Sequence, residues 1–165
     1  MRQNGINSRL QGFLATLRRR PNAKATLRGS EEYSSVYGNM YLYQTRYGVL
    51  VVTEVNGLPD DEIKCDSPVF GFHIHSGESC TGNSDDPFAD ALGHYNPDDC
   101  GHPHHAGDMP PLFSNNGYAF SVFLTDRFLV SEIKGKTVII HSMPDDFKTQ
   151  PSGDSGKKIA CGVII

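Results

Sequence analysis

The run VFGFHIH, residues 69–75, decides what kind of fold this chain adopts. It alternates apolar side chains with His73 and His75. Side chains two apart on a strand leave the same face, so a period of two predicts a β-strand with both imidazoles on one side. Similar runs lie on either side of it. AKATLRG (23–29), GNMYLYQT (38–45) and YGVLVVTEVNGLP (47–59) precede it; GYAFSVFLT (117–125), KTVIIH (136–141) and IACGVII (159–165) follow. Met40 and Leu42 repeat at period two, and the β-branched stretch 49–55 suits a half or fully buried strand. Seven or eight short strands separated by turns predict an all-β antiparallel sandwich or flattened barrel.

Composition agrees with that class. Seventeen glycines and ten prolines among 165 residues supply many turns, and the length suits one ordinary domain. The net charge of −4 hides an asymmetry: residues 1–20 hold five arginines and no acid, leaving ten basic and nineteen acidic groups, net −9, in the rest. A body so acidic excludes nucleic acid as a partner. The segment INSRLQGFLATLRRRP (6–21) spaces Ile6, Leu10, Phe13, Leu14 and Leu17 at helical intervals and ends in three arginines and Pro21. Cations suit a helix C-terminus and proline stops one, so residues 1–21 are expected to be a helical extension packed on a domain of residues 22–165. No stretch reaches transmembrane length and no uninterrupted apolar leader opens the sequence, which predicts a cytoplasmic location. In that compartment Cys65, Cys80, Cys100 and Cys161 are expected as free thiols or metal ligands before disulfides.

All seven histidines fall between residues 73 and 141, and three crowd CGHPHHAGD (100–108). His102, His104, His105 and Asp108 there, with His94 nearby, are the imidazole and carboxylate donors that a tetrahedral zinc site uses. This stretch lies in a loop running from Ser76 to about Leu112. A loop of that length in a compact domain needs something to hold it, such as a metal or a disulfide.

GFHIH (71–75), GHYNP (93–97), HAGDMP (105–110), VIIH (138–141) and IACGVII resemble, in order, the copper/zinc superoxide dismutase family. The resemblance covers residues 22–165 and implies a Greek-key β-sandwich or flattened eight-stranded barrel, with the N-terminal helix as an addition. It implies copper held by His73, His75, His94 and His141, and zinc held by His94, His102, His105 and Asp108, with His94 bridging. The segment from His102 to His105 is shorter than in many members, so His104 competes with His102 for the middle zinc position. Asp145 would join the two sites by hydrogen bonds, and Cys80 and Cys161 would form the family's disulfide. Cys65 and Cys100 have no counterpart and read as free thiols, or as a second disulfide.

The implied activity is disproportionation of the superoxide anion to dioxygen and hydrogen peroxide, by a monomer or homodimer. His94 would carry a proton in it. Where the family has an arginine, three residues before the last cysteine, this chain has Lys158. Lysine keeps the charge but loses the guanidinium fork, so a reduced rate is expected. The competing expectation is a non-catalytic copper- and zinc-binding protein on the same scaffold.

Overall fold

The computed structural model describes residues 3–60 and 68–165, with side chains from residue 9 onward. Cys65, and with it the expectation about its thiol, lies outside the described residues. The strands are β1 (Ala23–Gly29), β2 (Tyr37–Thr45), β3 (Gly48–Asn56), β4 (Val69–Phe70), β5 (Phe72–His75), β6 (Leu112–Phe113), β7 (Ala119–Thr125), β8 (Thr137–His141) and β9 (Lys158–Val163). A helix α1 (Gln3–Thr16) precedes them, and a single turn α2 (Val130–Ile133) lies between β7 and β8.

Seven strands form one curled antiparallel sheet in the order β5-β8-β9-β1-β2-β3-β7, and β4 pairs with β6 apart from it. The hairpin of β2 and β3 runs in register from Tyr37↔Asn56 to Thr45↔Gly48, and β3 continues onto β7 through Val49↔Thr125. Short hairpins joined by long crossings give the Greek-key character.

Residues 69–75, a single strand by their alternation, are two strands in the structure. The chain changes partner at Gly71, whose N–H donates to Met143 O at 2.8 Å and whose carbonyl accepts from His141 N at 2.8 Å. A Cβ there would lie 2.9 Å from the Ser155 side chain, so a residue without one fits the approach.

In β1 the alternation buries one face and exposes the other. Ala23, Ala25 and Leu27 of β1, Met40 and Leu42 of β2, and Val49, Val51 and Val55 of β3 meet Phe72 and Ile74 of β5 in one core. A fully buried side chain of this kind contributes about 1.5–3 kcal/mol. β5 and β8 are buried on both faces, because the loop after β5 covers their outer side. Beneath that loop Phe88 and Ala91 pack on Ile139 and Cys161.

The Cys80–Cys161 disulfide fixes the loop to β9 across 81 residues of chain. In the chain-entropy account, closure of such a span stabilises the fold by about 4–5 kcal/mol. This is the pair that the family resemblance implies, so the general preference for free thiols gives way at Cys80 and Cys161 as expected. Cys100 is free and exposed.

Helix α1 touches the β2–β3 hairpin through Phe13, edge-on to Tyr47 at 6.1 Å, and through Arg9 over the same ring. Its Leu10 and Leu14, and Leu17 just beyond its end, are exposed. Among the described residues no helix is long and apolar enough to cross a membrane.

Candidate metal centre

β5 is an edge strand, and an open edge offers unpaired N–H and C=O groups. The loop after β5 folds back onto them. Ile74 N donates to Gly107 O at 2.9 Å, Tyr95 N to Ile74 O at 2.8 Å, and Ser76 N to Gly93 O at 2.8 Å. These bonds set His94 opposite His75 and Asp108 opposite His73 as isolated ladder pairs. Gly107 permits the approach, since a Cβ there would lie 2.2 Å from Ile74 O. Loop residues far from β5 in sequence thus arrive beside its two histidines.

Two four-residue donor clusters result, and they share His94. His73, His75, His94 and His141 form one; His94, His102, His105 and Asp108 form the other, each with its donor atoms within 4.8 Å of one another. Both lie beside a cleft of about 620 Å³, which His75, His94, His105 and His141 line.

Hydrogen bonds outside the clusters decide which nitrogen of each ring faces inward. The His75 Nδ1–H donates to Leu92 O at 2.8 Å and that of His141 to Gly156 O at 3.4 Å, leaving their Nε2 atoms 3.2 Å apart. Two acceptor lone pairs at that distance repel unless a proton or a cation lies between them. Nε2–H of His73 donates to Asp145 Oδ2, and Nε2–H of His102 to Asp145 Oδ1, both at 2.8 Å. That leaves Nδ1 of His73 and Nδ1 of His102 buried with no hydrogen-bond partner, and Nε2 of His94 is in the same condition.

The second cluster is drawn tighter still. His94 Nδ1 lies 2.7 Å from Asp108 Oδ1 and 3.3 Å from His105 Nδ1, while Asp108 Oδ2 accepts from His105 N at 3.0 Å. Nδ1 of His102 is 3.2 Å from Asp108 Oδ2, but misaligned for a hydrogen bond. Buried polar atoms normally find partners, so the orphaned Nδ1 of His73 and Nε2 of His94 in the first cluster, and Nδ1 of His102 in the second, mark positions a metal would satisfy. Each lone pair points where a ligand atom is needed, and the donor set of three nitrogens and one carboxylate suits zinc.

Burial, then the neighbouring rings, pushes His73 down to about 2, and His75 lies well below the usual imidazole range for the same reasons. Burial is also the largest influence on His141, which sits at about 4. These rings are therefore neutral near pH 7, with lone pairs free for a metal. Burial works against ionisation of Asp108, yet the hydrogen bond and charge of His94, with His105 and His102, hold its carboxyl below the usual range.

Asp145 is nearly inaccessible and joins the clusters through one carboxylate. His102 is buried within the second cluster, whereas His104 is exposed and outside both. Lys158 lines the cleft, but its Nζ donates to Asp86 Oδ2 at 2.6 Å and to Phe88 O at 3.1 Å.

Several supporting residues escape sequence reasoning. Arg127 Nη1 donates to the carbonyls of Pro103, His105 and Asp108 at 3.0–3.3 Å, stapling the shortened loop from outside. Gln150 holds the His102 backbone by a reciprocal pair of bonds, 2.9 and 2.7 Å. Gly153, at φ +68°, covers Asp145 so closely that a Cβ would lie 2.0 Å from its Oδ1. Only the glycine carries a sequence signal, as a turn residue in QPSGDSG; an arginine bound to carbonyls carries none.

The family model described as copper/zinc superoxide dismutase (SODC) matches residues 36–164. A copper–zinc superoxide dismutase of Aquifex aeolicus is 35% identical over 146 residues, covering 78% of this chain and 79% of its own. That of Photobacterium leiognathi is 35% identical over 141 residues, covering 77% and 78%. Among solved structures, the copper/zinc superoxide dismutase of Brucella abortus superposes with a TM-score of 0.70 at 23% identity, over 86% of this chain and 99% of that one. A superoxide dismutase-like protein of Bacillus subtilis superposes with a TM-score of 0.68 at 26% identity, over 86% and 97%.

Proposed function

The chain belongs to the copper/zinc superoxide dismutase family, and from that premise we propose how its residues divide the work of disproportionating superoxide. The activity and the two metals, copper and zinc, come with the family; the roles below carry the family resemblance onto this chain's residues, and the geometry supports them. The observation that carries them is the pair of donor clusters sharing His94, with Nδ1 of His73, Nε2 of His94 and Nδ1 of His102 buried and unpartnered.

His73, His75, His94 and His141 would hold copper, and His94, His102, His105 and Asp108 would hold zinc. When bound, copper supplies the electron relay that oxidises one superoxide to dioxygen and reduces a second to hydrogen peroxide, and zinc supplies a fixed positive charge.

The protein's share is orientation and proton supply. Leu92 O and Gly156 O fix the rings of His75 and His141, and Asp145 fixes those of His73 and His102. Such outer partners set tautomer and basicity. His94 Nε2 has one lone pair, so it would carry a proton only while that lone pair is free of copper, and would give it up when peroxide forms, as one of the two protons consumed for each pair of superoxide anions. Lys158 at the cleft is the docking cation for the anion, and a single ammonium in place of a guanidinium predicts a rate below that of relatives with arginine.

The competing reading, a metal-binding protein without catalysis, gains no observation in its favour, since both donor sets are complete. Superoxide turnover by the copper- and zinc-loaded protein tests the assignment against free copper and against His73→Ala. Turnover well above both is expected. Turnover equal to free copper would overturn the enzymatic reading.

A further inference from the structure

The cleft beside the histidines carries opposed charges. Lys157 and Lys158 line it, and so do Glu32, Asp85 and Asp86. Lys158 stands opposite His141 in the β8–β9 pairing, which places it at the histidine cluster assigned to copper. Its ammonium is not free to meet an anion. Nζ donates to Asp86 Oδ2 at 2.6 Å and to Phe88 O at 3.1 Å, and the lysine side chain is only 15% exposed.

The carboxylate is itself held in place. Asp86 Oδ1 accepts from Phe88 N at 3.0 Å while Oδ2 faces the lysine, and the segment carrying both residues is tied to β9 by Cys80–Cys161. Asp86 is therefore a pre-positioned counter-charge at the mouth of the site. Burial opposes its ionisation, yet the Lys158 hydrogen bond and charge keep its carboxyl below the usual range.

Resting on the reading that Lys158 docks the anion, we propose that Asp86 is a positioning residue that sets anion affinity in this cleft. It occupies the lysine ammonium, so an incoming anion competes with a built-in carboxylate for the same donor. A partly exposed ion pair of this kind has a modest worth, comparable with what one small anion gains at one ammonium, so the two compete on even terms. The pair also shortens the reach of the site's positive field, because a cation beside an anion attracts distant charges as a dipole rather than as a charge.

Asp86→Asn tests this. Asparagine keeps one acceptor oxygen, enough for the Phe88 N bond that holds the loop, and removes the charge together with the second oxygen that accepts from Nζ. Azide, titrated into the copper- and zinc-loaded protein and followed through the copper absorption band, reports equilibrium anion affinity independently of turnover. Asp86→Asn is expected to tighten azide about three- to tenfold and to steepen the fall of turnover with added salt. In a Lys158→Gln background the same substitution is expected to change the azide affinity less than twofold.

Unchanged or weakened azide binding in Asp86→Asn would overturn the proposal, because a residue that merely fastens the loop leaves affinity alone or harms it. An equal gain with and without Lys158 would overturn it too, since the effect would then not pass through the lysine. Wild-type turnover separates this failure from that of the site assignment: turnover no faster than free copper sinks the assignment, whereas normal turnover with silent Asp86→Asn sinks only the role of Asp86.

Discussion

The two donor clusters are held by different means. His73, His75 and His141 sit on β5 and β8, where the ladder from Phe72↔Ile140 to His75↔Thr137 fixes their spacing and both strands are buried on both faces. His94, His102, His105 and Asp108 sit on one long loop, whose shape depends on a disulfide, an edge pairing, Arg127 and Gln150. Strand-borne donors inherit their geometry from the core. Loop-borne donors need their geometry built, contact by contact, and that is where the supporting residues have gathered.

Removing a strand donor should have the largest effect. His73→Ala is expected to lower superoxide turnover at least about 100-fold and to remove copper, measured by metal analysis, while zinc content and fold remain. Substituting a strap on the loop side should instead cost stability. Cys80→Ser is expected to destabilise the protein by about 4–5 kcal/mol in denaturant titration, with zinc lost at lower denaturant than copper.

Acid should reach the strand donors of the metal-free protein. His73 at about 2 and His141 at about 4 lie below the 6.5 of the unfolded chain, so unfolded molecules bind protons first as pH falls. Stability present above pH 6.5 is therefore lost below it, on the order of 2 kcal/mol for each ring between pH 7 and pH 5. Thermal melts of metal-free protein across that range check the sign; a midpoint that rises on acidification would refute it. The smallest effect is expected from Arg127→Met, which removes three bonds to loop carbonyls. It should cost about 1–3 kcal/mol and speed proteolytic cleavage between residues 96 and 108, with β5 and β8 unaffected.

The same division governs what could be read from the sequence. Strand β1 falls within a run that alternation marks, because burial of one face writes a period of two into the chain, whereas β7 and β8 were legible only as short strand-like runs between turns. The division of residues 69–75 at Gly71 was not legible, since a change of partner depends on where Ser155 and Met143 arrive. All seven donor residues were legible from residue type and motif order. Only the family's spacing favours His102 over His104, since neighbouring loop histidines look alike by residue type until the loop is folded, when His102 is buried against Asp145 and His104 faces solvent. Arg127, Gln150 and Asp86 were invisible for a related reason, since each acts largely through backbone carbonyls or a single charge partner supplied by distant sequence.

The carboxylate of Asp145, bonded to His73 by one oxygen and to His102 by the other, makes the two clusters a single thermodynamic unit. Ordering either ring orders the carboxylate, and the ordered carboxylate presents the other ring already oriented. Occupancy at one centre therefore changes affinity at the other by some factor, and reciprocity requires the same factor in the opposite direction. Metal titrations run in either order should close on the same total free energy, with the second ion always meeting a site that the first has prepared.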